Sequence, residues 1–178
     1  MAKGVVMNLN ALQQQLGLET ENQYPPVEKW HPQLSGDMDM VIRRDGTWWH
    51  EGVQIKREKL VRLFASILRK EGDEYFLLTP VEKWRISVED RPLLIVMIER
   101  VDESIRAITN SGDVVTIGQE HPLLMSELDG VLLPEVNVRA DLYARFSRNA
   151  FYDLSDMAHE DNNGRYFVTS EGRKYFLS

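Results

Sequence analysis

The pattern of apolar and polar positions is clearest between Asp45 and Lys70, which read DGTWWHEGVQIKREKLVRLFASILRK. Asp45-Gly46 lies between short apolar runs, the local signature of a tight hairpin turn. Val53 and Ile55 alternate with polar neighbours, as a half-buried strand does. From Lys56 the period lengthens. Leu60, Leu63, Phe64, Ile67 and Leu68 fall at i, i+3, i+4, i+7 and i+8, one wide apolar stripe on a helix. Gly72 follows, where a left-handed residue closes a helix. The stretch predicts hairpin, strand and helix, with a stripe that another element must cover.

The same reading extends along the chain. Leu9, Leu12 and Leu16, followed by Gly17, predict a short helix up to Leu18. Tyr24-Pro25-Pro26 and Trp30-His31-Pro32 predict an extended arm whose tyrosine and tryptophan pack against the body. Met38, Met40 and Ile42 alternate with Asp37, Asp39 and Val41, a strand leading into the Asp45-Gly46 turn. Tyr75–Thr79 and Trp84–Val88 read as strands broken by Pro80, and Leu93–Ile98 as a strand buried on both faces. Ser104–Thr109 and Val114–Ile117 are strand-like on either side of a turn at Asn110-Ser111-Gly112-Asp113.

These segments repeat. Val53-Gln54-Ile55-Lys56 matches Val136-Asn137-Val138-Arg139, and the same offset sets Leu60 on Tyr143, Arg62 on Arg145 and Leu63 on Phe146. Asp45-Gly46 falls on Asp129-Gly130, and Tyr75-Phe76 on Tyr166-Phe167. The difference in offset lies, on this alignment, between helix and following strand, at the loop Asp161-Asn162-Asn163-Gly164. The second helix then carries Tyr143, Phe146, Ala150, Leu154 and Met157 inward. The expected fold is α+β: two similar hairpin–helix–hairpin halves from an internal duplication, with antiparallel strands packed on helices. The expected organisation is an N-terminal helix and arm over 1–34, a first half over 35–98 and a second over 99–178, the halves packed as one compact unit.

Composition narrows the chemistry. With 178 residues, 43% hydrophobic and 28% charged, the chain has the makeup of a soluble globular protein. It has no cysteine, which excludes disulfides, zinc-thiolate sites, iron–sulfur clusters and thiol catalysis, and suits a cytoplasmic location. No signal-peptide core opens the chain, and no apolar run approaches the length of a membrane span, so no membrane insertion is expected. The net charge of −7 argues against general nucleic-acid binding, which needs a basic face. Residues 35–98 carry 11 basic and 11 acidic side chains and residues 99–178 carry 8 and 14, so an anionic ligand finds its better host in the first half. All four tryptophans also precede residue 99.

Several clusters offer chemistry, each beside a plainer structural role. Asp37 and Asp39 share a strand face about 7 Å apart. They suit a hard cation such as Mg²⁺, or an exposed polar face with no third oxygen ligand near in sequence. Thr79-Pro80-Val81-Glu82-Lys83, with Arg85, sets a hydroxyl, a carboxylate and two cations around a break between strands. Lys83 and Arg85 suit a phosphate, whereas Thr79 bonding the backbone beside a proline makes an ordinary turn. Arg62 and Arg145 read as local partners of Glu58 and Asp141. That leaves Arg43, Arg139 and Arg148 as anion candidates. Trp48 and Trp49 point to opposite faces, and the outward ring either stacks on a base or packs under a long side chain. His31, His50, His121 and His159 have no ligand spacing, and a catalytic His121–carboxylate pair would have to be assembled in space. No nucleophile elbow, phosphate loop or dinucleotide fingerprint is present, so the reading leans away from an enzyme and points to no cofactor.

Six runs together resemble a bacterial domain-of-unknown-function family, family 1285, over about residues 30 to 160. They are Gly36-Asp37-Met38-Asp39-Met40, Asp45-Gly46-Thr47-Trp48, Leu60-Val61-Arg62-Leu63-Phe64, Thr79-Pro80-Val81-Glu82-Lys83, Val88-Glu89-Asp90-Arg91-Pro92 and His121-Pro122-Leu123. The resemblance implies a duplicated α+β core whose C-terminal half is superficially similar to pleckstrin-homology folds. It also implies a site between the halves for a nucleotide-like molecule in signalling. It assigns no catalytic residue. The expectation is therefore a non-catalytic sensor or adaptor binding a small anionic ligand through Arg43, Trp48, Thr79, Glu82, Lys83, Arg85, Arg139 and Arg148. The alternatives are a protein-interaction module and a metal-dependent hydrolase built on Asp37 and Asp39.

Overall fold

The computed structural model describes residues 24–178, so the helix expected up to Leu18 lies outside the described residues. The chain divides into two compact units. One holds the residues up to Met40 with His50–Ser87, and the other Val41–Trp49 with Val88–Ser178.

The first sheet is six-stranded: β1 (Gly36–Ile42), β2 (Trp48–His50), β3 (Val53–Gln54), β4 (Leu68–Glu71), β5 (Glu74–Leu78) and β6 (Lys83–Val88). Their order is β3-β2-β1-β6-β5-β4. β4, β5 and β6 form an antiparallel meander. β1 and β6 run parallel, because Ser35 N–H donates to the Lys83 carbonyl at one end and Glu89 N–H to the Ile42 carbonyl at the other. Ahead of the sheet, the arm makes a single 3₁₀ turn, Val27–Lys29. Its buried residue is Pro25, whereas Tyr24 remains 55% exposed, contrary to the expected packing.

Helix α1 (Glu58–Ser66) buries Leu63, Phe64 and Ala65. It is shorter than the apolar stripe predicts. Ile67 and Leu68 are buried as expected, but Leu68 already opens β4. Gly72, at φ 59°, does not close the helix; it turns the β4–β5 hairpin, in which Glu71 faces Glu74. Strand pairing across that turn overrides a helical period that the side chains alone would continue. Val53, expected half-buried, is 69% exposed on the outer strand β3.

The second unit holds β7 (Leu93–Val101), β8 (Ser104–Thr109), β9 (Val114–Thr116), β10 (Leu123–Leu128), β11 (Val131–Arg139) and β12 (Leu142–Phe146). They are ordered β10-β11-β12-β7-β8-β9. All pairs are antiparallel except β12 with β7. β7 is not buried on both faces: a register shift between Ile95 and Met97 turns Val96 and Met97 outward, at 43% and 50% exposure. Helix α2 (Arg148–Asp156) packs on β7 and β12, with Ser147 Oγ accepting from Ala150 N–H at its start. A three-stranded meander, β13 (His159–Glu160), β14 (Tyr166–Ser170) and β15 (Arg173–Phe176), completes the unit. Ile95, Ile105, Ile117, Val136, Ala144, Leu154 and Val168 form its core. The hairpin tip 41–49 belongs here: Asn110 Nδ2 donates to the Gly46 carbonyl at 3.0 Å, and its Oδ1 accepts from Leu94 N–H at 3.2 Å.

The duplication is visible as two runs of meander, helix and meander, β1–β3/α1/β4–β6 and β10–β12/α2/β13–β15. Its register differs from the sequence alignment. The two helices start and end 90 residues apart (Glu58 and Arg148, Ser66 and Asp156), whereas the turns Asp45-Gly46 and Asp129-Gly130 are 84 apart. The extra residues lie before the helix, in β11, which has nine residues where β2 has three. Tyr143 and Phe146 therefore sit on β12, and only Ala150 and Leu154 of the expected stripe are buried on α2.

Candidate functional site

The first unit gathers cations around one aromatic floor. On β6, Lys83 and Arg85 point to one face while Ile86 is buried on the other, as strand alternation requires. Phe76 is the floor, 3% exposed and registered opposite both Arg69 and Arg85. Lys83 Nζ stands 4.3 Å and Arg85 Cζ 5.7 Å from its ring centroid, within cation–π range. Carboxylates hold the cations from the side. Glu71 accepts from Lys83 Nζ at 2.5 Å and from Arg69 Nη2. Asp37 accepts from Arg85 Nη1 at 2.6 Å. Arg85 Nε lies 2.9 Å from Glu74, close enough for charge attraction but off the hydrogen-bond direction.

Arg69 is the hinge of this cluster. Its Nη1 donates to the Val27 and Trp30 carbonyls at 3.1 and 2.7 Å, fastening the arm to the sheet. Its Nε is buried and has no acceptor. The hydrogen bond from Lys83 holds the Glu71 carboxyl below its ordinary range; partial burial opposes this and Arg69 adds to it. The hydrogen bond to Asp37 likewise raises the Arg85 guanidinium above its ordinary value.

Of the residues singled out from the sequence, Lys83, Arg85 and Asp37 meet here, and the others do not. Thr79 is 3% exposed, and its Oγ1 accepts from Val81 and Glu82 N–H at 3.3 and 3.0 Å, so it closes the turn. Glu82 lends that turn its backbone. Asp37 and Asp39 are both exposed on one face of β1, but Asp37 is engaged by Arg85. Among the described residues no group of three metal-ligating side chains forms. Trp48, 1% exposed, is core and offers no ring face to a ligand. The outward ring is Trp49, and Arg43 stacks on it at 3.8 Å. Arg139 bonds the buried Asp113 at 2.9 Å, and Arg148 bonds Tyr152 Oη at 3.1 Å. Arg69 and Phe76 were hidden from the sequence reading: the helical period ran over Arg69, and Phe76 read as ordinary strand core.

The expected Asp141–Arg145 pair is overturned. Positions four apart meet on a helix, but Arg145 lies on β12. It binds Asp90 through Nε and Nη2, both at 2.9 Å, and adds Ser126 Oγ at 2.7 Å and the Leu133 carbonyl at 3.2 Å. Glu135, 3.7 Å away, also accepts from Arg91.

Two family models match the chain end to end: the N-terminal domain of DUF1285, a domain of unknown function, over residues 25–91, and its C-terminal domain over residues 92–177. The chain belongs to the DUF1285 family. A crystal structure of a DUF1285 family protein from Silicibacter pomeroyi DSS-3 is 36% identical, with a TM-score of 0.82 and 93% of each chain covered. One from Shewanella baltica OS155 is 33% identical, with a TM-score of 0.55, covering 67% of this chain and 91% of that one. No curated protein matches. Among DUF1285 proteins, then, this chain shares a two-domain architecture whose split near residue 91 falls between β6 and β7. Among the described residues no helix is long and apolar enough to cross a membrane.

Proposed function

We propose that this protein is a non-catalytic sensor or adaptor that binds a small anionic, nucleotide-like ligand on the cationic face of its first unit. One observation carries the reading: Arg69 Nε is a buried donor without an acceptor, beside a floor on which Lys83 and Arg85 already converge. A buried unsatisfied N–H costs free energy that a ligand oxygen would relieve. Glu71, Glu74 and Asp37 act as exchangeable counter-ions, their side chains 38%, 54% and 74% exposed. Phe76 supplies the apolar ground under the charges. A cytoplasmic location and a signalling role belong to the same proposal. So does a pleckstrin-homology-like second unit, supported by a helix that follows six largely antiparallel strands and packs on the first of them.

The test is isothermal titration of purine and pyrimidine mono- and diphosphates at low and at physiological salt. Saturable binding that weakens in Lys83→Met and Arg85→Gln is expected. Absence of binding across the panel at millimolar concentration, or binding indifferent to both variants, overturns the reading.

A second reading, a protein-interaction module, is favoured by the outer strand β10. There Leu124 and its near neighbour Val131 on β11 are 42% and 56% exposed on one face, which suits strand addition by a partner.

A further inference from the structure

The second unit contains a cleft of about 760 Å³ that the reading above does not use. Its walls are β9, the turn from Gln119 to His121, and Glu171 at the β14–β15 turn. We propose that this cleft binds a small organic cation bearing N–H donors, a primary amine or guanidinium compound.

The polar groups that line it are mostly acceptors. Among the described residues, the carboxylates of Glu120 and Glu171 take part in no hydrogen bond or ion pair. His121 Nδ1 lies 2.9 Å from the Asn137 carbonyl. A carbonyl only accepts, so Nδ1 carries the proton and Nε2 of the neutral ring is left as an acceptor. Arg173 is engaged by Gln119 Oε1 at 3.1 Å. Two open carboxylates and a ring nitrogen around one cavity leave a deficit of donors, which an ammonium or guanidinium fills with charge-assisted hydrogen bonds.

The walls are also fixed. Ser170, fully buried, donates from Oγ to the Ile117 carbonyl at 2.6 Å and accepts from Ile105 N–H at 2.8 Å. Glu171 N–H donates to the Glu103 carbonyl, and Gly118 N–H to the His121 carbonyl. Gly118 has a specific part in this: a Cβ there would stand 1.9 Å from Glu171 Oε2. The missing side chain is what admits the carboxylate to this wall. The Gly118 backbone is not left-handed, so alanine fits the chain and displaces only the flexible end of Glu171.

Agmatine, which carries an amine and a guanidinium, is the probe for isothermal titration against the full chain. Tetramethylammonium, a cation without N–H groups, is the control. One saturable agmatine site is expected, with no tetramethylammonium binding. Glu171→Gln and Gly118→Ala each weaken agmatine about tenfold or more, the loss expected for one charge-assisted hydrogen bond. Thermal melts establish that both variants are folded. Lys83→Met leaves agmatine binding unchanged, which separates this site from the anion site of the first unit. Equal binding of the two cations, no agmatine binding, or agmatine binding unaltered in both folded variants overturns the assignment.

Discussion

Arg145 and Asp90, 55 residues apart in the chain, form a two-point ion pair inside the second unit, with side chains 6% and 5% exposed. The planar guanidinium fork matches the carboxylate, and Ser126 Oγ and the Leu133 carbonyl take its remaining directions. Such a pair contributes little over an apolar replacement of both partners, but losing one partner strands the other in a poorly solvated site. Arg145→Met is therefore expected to cost about 3–5 kcal/mol of unfolding free energy. Arg145→Lys fails to rescue it, because an ammonium is a point donor. Urea unfolding of the two variants checks this. Arg145→Met combined with Asp90→Leu is expected to recover much of the loss.

Gly46 is the second rigid point. At φ 83° it occupies a backbone region that side chains disfavour, and a Cβ there would stand 2.8 Å from Asn110 Nδ2 and 3.1 Å from Leu94 Cδ2. Asn110 also donates to its carbonyl. Gly46→Ala is expected to cost about 1–3 kcal/mol and to loosen the hairpin tip. Faster amide exchange at Arg43 and Gly46, whose N–H groups close this turn, is the readout.

The cluster on the first unit makes stability depend on pH in a definite direction. The Glu71 carboxyl is held below its ordinary 4.5, first by the Lys83 hydrogen bond. The unfolded chain therefore takes up the proton before the folded one does. The stabilisation is complete above 4.5 and is lost as pH falls through the lower folded value. Unfolding free energy measured from neutral pH down to pH 3 is expected to fall more steeply in the native protein than in Glu71→Gln. Parallel curves would show that the pair is screened by solvent, since the Glu71 side chain is 38% exposed.

What the sequence could disclose followed the range of each interaction. The Asp45-Gly46 turn was legible because its cause is local: Gly46 N–H returns to the Arg43 carbonyl, and Asp45 Oδ1 accepts from Thr47 N–H and Oγ. Lys83 and Arg85 were legible as a pair because two residues along a strand share a face. The end of α1 was not, because Ile67 and Leu68 satisfy a helical stripe and a buried strand equally well. The partner of Arg145 was not, because nothing near β12 signals Asp90. The repeat was legible in its aromatic and turn residues but not in its gap, since the alternation of a longer β11 looks the same at either end.

Ser170 is the residue on which the wall of the second unit's cleft depends. One hydroxyl serves the Ile105 N–H and the Ile117 carbonyl at once, and no part of it is exposed. Ser170→Ala removes the oxygen but barely changes the volume, so two buried backbone groups lose a partner while packing is kept. The expected cost is about 1–3 kcal/mol, that of leaving buried polar groups unsatisfied. Thr169 and Glu171 flank the position, and Glu171 N–H still holds the Glu103 carbonyl, so the strand keeps its place. The discriminating measurement is hydrogen exchange at Ile105. Its amide is expected to exchange faster in Ser170→Ala, while that of Ile98, across the β7–β8 ladder, keeps the native rate once the global loss is subtracted. Equal acceleration at both amides would place the effect in global unfolding rather than at the Ser170 bridge.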